Sequence, residues 1–212
     1  IDAVMSTVIY YMKYFLGRGD ETNYVTGTLL LAEIVALPFY NWLSQRTNKR
    51  IGYIVGATIW IVTMLFSFAV VPSAPGFVVY VFAALVGLGV GGIVVMVYAI
   101  FPDIPDVDEL KTGLRREGVY SSLIAFARKL SGAVALFLVS NSLALAGYVL
   151  PVEEVVGGVT QLVEQPQSET FILMLRLIFA VVPVVLVGLS LLFAFRYPLT
   201  SEVHRRLSRV LE

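Results

Sequence analysis

Across 212 residues with no cysteine, 58% of the side chains are hydrophobic, only 14% are charged, and the formal net charge is zero. Ordinary soluble domains are about 45–50% apolar and about 25% charged, so this chain has too few polar residues to cover a water-facing globule. Disulfides and thiolate metal sites are excluded, and no basic patch with interleaved aromatics argues for a nucleic-acid partner.

The charges fall between long apolar runs, and roughly 18 apolar residues suffice to carry a helix across about 30 Å of hydrocarbon. In chain order the pattern predicts spans over 3–16 (AVMSTVIYYMKYFL), 24–43, 52–71, 77–101, 118–147 and 170–195. The first span is clipped at its start. The chain opens on isoleucine with no signal-peptide pattern, and it reads as a piece of something longer or a processed product. PSAP at 72–75 predicts a tight hairpin between spans three and four, because proline ends one helix and opens the next. Runs this long, without period-two alternation, exclude a β-barrel. The expected fold class is all-α: a polytopic membrane protein with six transmembrane helices in one bundle over 1–195 and a polar tail over 196–212. The single histidine, His204, falls in that tail. Gly87, Gly89, Gly91 and Gly92 mark span four for close helix approach, while Pro38 and Pro183 predict kinks in spans two and six.

Lysine and arginine in the connections set the orientation. With the start of the chain placed in the cytoplasm, one side gathers Arg46, Lys49, Arg50, Lys111, Arg115, Arg116, Arg196, Arg205, Arg206 and Arg209. The other side has Arg18 as its only loop cation, the long connection 148–169 included. The pattern predicts an inner-membrane protein with both chain ends in the cytoplasm.

Lys13, Glu33, Lys129 and Arg176 sit inside apolar spans, with Arg128 beside Lys129. Such a charge costs about 2.5–3.5 kcal/mol at a helix centre and ordinarily faces a cavity or a partner. Glu33 and Lys129 lie about 15–16 Å deep at a rise of 1.5 Å per residue, so a pair between them would neutralise both. An ordinary interhelical salt bridge explains each charge as well as a cavity does. Consecutive residues point about 100° apart, so Lys129 is assigned to the cavity and Arg128 to a lateral partner. Arg176 and Lys13 lie near the outer ends of their spans and are expected to snorkel. Tyr10, Tyr11 and Tyr14 surround Lys13 as interfacial belt residues or as a stacking platform for a substrate.

Between spans four and five, DVDELKTGLRREG packs seven charges into thirteen positions. A topogenic loop needs only bases, yet four of these charges are acidic. With Asp103 just before it, the cluster reads as a cytoplasmic gate in which Asp103, Asp106, Asp108, Glu109, Lys111, Arg115, Arg116 and Glu117 form ion pairs with neighbouring loops in one conformational state.

FPDIPDVDELKTGLRREG, a following span with FARKLSGA and LALAGY, and the ending FRYPLTSEVHRRL together resemble the glycoside–pentoside–hexuronide:cation symporters of the major facilitator superfamily. The resemblance runs across all six spans and is most specific over 99–148. It implies helices seven to twelve of a twelve-helix transporter, whose partners are membrane lipid, a small solute and the N-terminal six-helix half. It places Lys129 on a helix-eleven lysine that faces the central cavity, and it implies no cofactor beyond a coupling sodium ion or proton held mainly by the N-terminal half. Val94 stands where the family's sugar transporters carry a helix-ten tryptophan, and Ile124 and Ala125 stand at polar helix-eleven positions. That apolar lining brings sodium-dependent lysophosphatidylcholine symporters into view as an alternative. A scaffold or regulatory subunit that moves nothing is the alternative of a different class. With no HExxH, GxSxG or embedded aspartate pair, an enzyme is not expected.

Overall fold

The computed structural model describes residues 1–156 and 159–196. The predicted tail beyond Arg196, with His204 and the last three arginines, lies outside the described residues.

Each predicted apolar run is helical. Helix α1 covers Asp2–Tyr10 and continues through a π turn, Tyr11–Phe15. After the short 3₁₀ turn Gly19–Glu21 come α2 (Thr22–Arg46), α3 (Lys49–Phe66) and α4 (Gly76–Ile100). Helix α5 (Asp103–Thr112) is short and polar, and α6 (Glu117–Leu145) is long. The last rod is α7 (Glu169–Arg176), a π turn Leu177–Val181 and α8 (Val182–Arg196). Among the described residues, five helices are long and apolar enough to cross a membrane. Asp2–Phe15 reaches only about 21 Å at 1.5 Å per residue, short of the hydrocarbon thickness, so five spans rather than six meet the criterion.

Local chemistry sets the ends of these elements. Asn48 caps α3, its Oδ1 accepting from the Ile51 N–H at 2.7 Å, so two short polar residues suffice to reverse the chain after α2. Asp103 and Asp106 place negative charge in the first turn of α5, and Gly113 ends that helix at φ 68° with its N–H bonded to the Glu109 carbonyl. The charged connection is therefore largely helical rather than an open loop. Pro38 is accommodated inside an unbroken α2. Pro183 has no N–H for the Phe179 carbonyl, and the π turn just before it absorbs that mismatch.

The long connection before α7 contains a hairpin that the all-α expectation did not include. Strand β1 (Val152–Val156) pairs antiparallel with β2 (Val159–Val163), Val152 opposite Val163 and Val156 opposite Val159. Two valine-rich runs separated by Gly-Gly are a hairpin signature, legible in the sequence once the connection is not treated as structureless.

Packing centres on α4, which lies between α2 and α3. A Cβ on Gly89 would stand 2.7–2.8 Å from Cβ, Cα and N of Trp60. One on Gly56 would stand 2.8–3.0 Å from the backbone of Gly92 and Ile93, and one on Gly91 would meet the Glu33 carbonyl oxygen at 2.9 Å. Helix backbones approach this closely only where side chains are missing, and van der Waals contact then replaces the hydrophobic drive that a bilayer removes. Trp60, Met64, Val86 and Val90 fill the seam. Helix α8 packs on α3, while α6 touches α1 and α7. Between Glu117 and Leu145 only Val139 and Leu143 are buried, and Phe126, Leu130 and Phe137 project outward. An apolar surface of this extent belongs in lipid or against another helix bundle. The protein is an integral membrane protein.

Candidate functional site

An open groove of about 810 Å³ runs between the start of α1, the end of α4 and the middle of α6. Its charges are Asp2, Arg128 and Lys129, and its apolar wall includes Phe101, Ile124, Ala125 and Leu136. Arg128 donates to the Tyr98 hydroxyl, with its guanidinium carbon 5.7 Å from that ring's centroid. Gly132 makes room for the acid, because a Cβ there would stand 3.0 Å from Asp2 Oδ2. Two cations, one anion and an aromatic hydroxyl thus share one recess. Among the described residues no carboxylate lies within 4.0 Å of Lys129, which leaves its ammonium available to a ligand.

The expected Glu33–Lys129 pair does not form. Glu33 is half-buried on α2, which packs on α4 and α3, whereas α6 packs on α1 and α7. Equal depth in the membrane does not fix position around the bundle. Arg128, expected to turn sideways, lines the same groove as Lys129 and finds Tyr98. Sequence reasoning missed Tyr98 and Asp2. The only available signal for Asp2 was an acid one residue ahead of the first predicted span.

The tyrosines of α1 divide between two environments. Tyr10 and Tyr14 stack at 6.2 Å and meet Tyr148 edge-on, beside a recess of about 520 Å³ lined by Ser6, Tyr10, Ser140 and Tyr148. Tyr11 faces away from both recesses. It is buried and stacked on Phe179 at 4.3 Å, and its hydroxyl donates to the Ser67 carbonyl at 3.2 Å. A tyrosine one residue along a helix points about 100° away, so the YYMKY run could not act as one platform. Lys13 and Tyr14 both donate to Glu164, and Lys13, then Tyr14, hold that carboxyl below its usual range. Arg176 is clamped between two rings, with its guanidinium 4.6 Å from the Phe15 centroid and 5.2 Å from that of Phe68, donating to the Phe68 carbonyl at 3.1 Å.

At the opposite end of the bundle, five of the charged residues of 103–117 enter three ion pairs, one of them with Lys49. Lys49 Nζ donates to both oxygens of the buried Asp103 carboxylate, at 2.7 and 2.8 Å, and ties α3 to α5. Arg116 grips Asp108 with Nε and Nη2 at 3.0 and 2.9 Å, tying the head of α6 to α5. Arg115 bonds Glu117 within the connection itself. Asp106 and Glu109 make no ion pair within 4.0 Å among the described residues. The side chain of Lys111 lies outside the described residues. Among the ion pairs of the described residues, Lys49–Asp103 joins the cluster to another helix, while Arg116–Asp108 and Arg115–Glu117 lie within it.

The sequence profile described as MFS/sugar transport protein matches residues 3–201. An uncharacterized symporter of Synechocystis sp. is 26% identical over an alignment that covers 100% of this chain and 38% of the relative. Sodium-dependent lysophosphatidylcholine symporter 1-A of Danio rerio is 26% identical over 91% of this chain and 34% of its own length. The glucuronide carrier protein homolog of Escherichia coli is 27% identical over 94% of this chain and 41% of its own length. The chain therefore spans about two fifths, or less, of the curated relatives it matches.

Proposed function

The chain belongs to the MFS/sugar transport protein family, and from that premise we propose that it is the C-terminal half of a cation-coupled symporter that moves an acidic solute by alternating access. Arg128 and Lys129 bind the solute's anionic group in the α1–α4–α6 groove, and Tyr98 orients Arg128. The single observation that carries this reading is the pair of cations facing an open recess with only one acid beside them. A sugar acid or glycoside of the kind named for the Escherichia coli relative fits such a recess. The apolar wall of Phe101, Ile124, Ala125 and Leu136 favours a second reading, a lysolipid whose phosphate meets the same cations.

Both ends of the chain face the cytoplasm, so the Lys49–Asp103 and Arg116–Asp108 pairs belong to the cytoplasmic gate and separate when the site opens inward. The coupling cation, sodium or proton, is assigned to the other half. Purified full-length protein in proteoliposomes tests the proposal, with uptake of a glucuronide and of lysophosphatidylcholine measured under sodium and proton gradients. A charge-assisted bond is worth about 1.5–3 kcal/mol, so Lys129→Ala is expected to weaken apparent affinity at least tenfold while the yield of folded protein holds. Unchanged KM for both solutes in Lys129→Ala and in Arg128→Gln would remove the groove as the binding site.

A further inference from the structure

At the charged end of the bundle, adjoining the groove along Phe101 and Ile124, another cavity of about 280 Å³ opens between α3, α4, α5, α6 and α8. Its depth is apolar, with Phe193, Ala194 and Ile104 among its walls. The polar groups in its lining are already matched to each other, since the Tyr53 and Ser190 hydroxyls share a hydrogen bond of 2.6 Å. Arg50 also lines it and has a different status. One of its Nη groups donates to the Phe195 carbonyl and its guanidinium lies 6.0 Å from the Phe195 ring, which among the described residues leaves most of its five donors unused. Among the described residues no carboxylate lies within 4.0 Å of Arg50, nor of Arg196, the exposed residue that ends α8 immediately after Phe195.

We infer that this cavity is a binding site for one anionic phospholipid, with an acyl chain in the apolar pocket and the phosphate on Arg50. Charge and shape each contribute to that choice. A helix end at the level of Lys49, Arg50 and Arg196 lies where lipid headgroups lie, and unpaired arginine there attracts anionic lipid. The pocket behind it is a slot that no polar solute would fill, because its hydroxyls are already paired. Ile104 follows Asp103 directly in the chain, so an occupying chain presses on α5 beside the Lys49–Asp103 pair and holds it closed.

The test reads binding and needs no transport, and its variants leave Arg128 and Lys129 in place, so its failure and that of the solute reading above are distinguishable. Full-length protein is reconstituted in nanodiscs of phosphatidylcholine with phosphatidylglycerol, and native mass spectrometry measures the phosphatidylglycerol retained after release. One basic residue beside an anionic headgroup is worth about fivefold in occupancy, so Arg50→Gln is expected to retain about fivefold less phosphatidylglycerol while Arg50→Lys keeps most of it. Ala194→Phe, which fills the slot with Arg50 intact, is expected to lose the lipid as well, and excess inorganic phosphate is expected to leave it in place. Equal retention in Arg50→Gln overturns the proposal, as does equal retention in a folded Ala194→Phe. Displacement by inorganic phosphate alone overturns it too, since the site would then hold an anion and not a lipid. Should Ala194→Phe fail to fold, Ile104→Trp fills the slot from α5 instead.

Discussion

Replacing Lys49 by methionine keeps the length of the side chain and removes the charge that faces both oxygens of Asp103. The Asp103 side chain is only 7% exposed and that of Lys49 is 35% exposed, so the pair stands between two regimes. Breaking a fully buried pair costs about 3–5 kcal/mol because a charge is left without compensation. Fully exposed pairs are worth about 0–1 kcal/mol. A value of about 2 kcal/mol is therefore expected for Lys49→Met, equivalent to about thirtyfold in the equilibrium between tied and untied α5. Asp103→Leu in the Lys49→Met background takes away the carboxylate that has lost its lysine and should recover part of that loss. The double-mutant cycle subtracts whatever else each side chain touches. Because these 212 residues contain no cysteine, maleimide labelling of Ile104→Cys reports the opening of α5 directly. If the coupling energy falls within about 0.5 kcal/mol of zero, the limit for independent sites, the latch does not exist as an energetic unit.

Gly89→Ala should lower thermal stability in detergent by about 1–3 kcal/mol, since its new methyl meets Trp60 backbone that cannot step aside, while Gly27→Ala, with nothing within 4 Å, should be neutral or stabilising by about 0.5–1 kcal/mol. Glu164 has a depressed carboxyl in the folded protein, so its contribution is complete above the unfolded value of about 4.3 and fades as pH falls through the folded one. Wild type should accordingly outlast Glu164→Gln in thermal melts at neutral pH and lose that advantage on strong acidification; a difference that persists in acid would exclude the carboxylate as its source. Arg116→Ala should slow uptake more than Arg115→Ala, because Arg116 bridges α5 and α6 whereas Arg115 bonds only its near neighbour Glu117. Equal rates in the two variants would count against that bridge.

Composition and hydropathy made the helices legible, because a bilayer admits so few backbone solutions that length and polarity nearly specify them. The glycines of α4 were equally readable, since a helix with residues 87, 89, 91 and 92 stripped of side chains has little purpose except close approach. Pairing was harder to read. Lys129 was identifiable as a costly charge, yet its neighbours in the groove, Asp2 and Tyr98, come from two other helices whose rotation about their axes no local pattern encodes. The Glu33–Lys129 expectation failed for the same reason. Lys49–Asp103 joins residues 54 positions apart and depends on α5 being a helix, which the density of charge had disguised as a loop.

The two π turns, Tyr11–Phe15 and Leu177–Val181, meet through the Tyr11–Phe179 stack. Each wide turn holds one residue more than an α-helix of the same rise, so the helix on either side of it keeps its facing. Removing one residue from 177–181 would leave Ser190 toward Tyr53 and Phe195 toward Arg50, and would take away only the local widening that accommodates Pro183 and seats Phe179 on Tyr11. The same deletion in the regular part of α8 would turn everything beyond it by about 100° and part both contacts. A one-residue change of length is therefore a local event in the π turn and a global one a few residues further on.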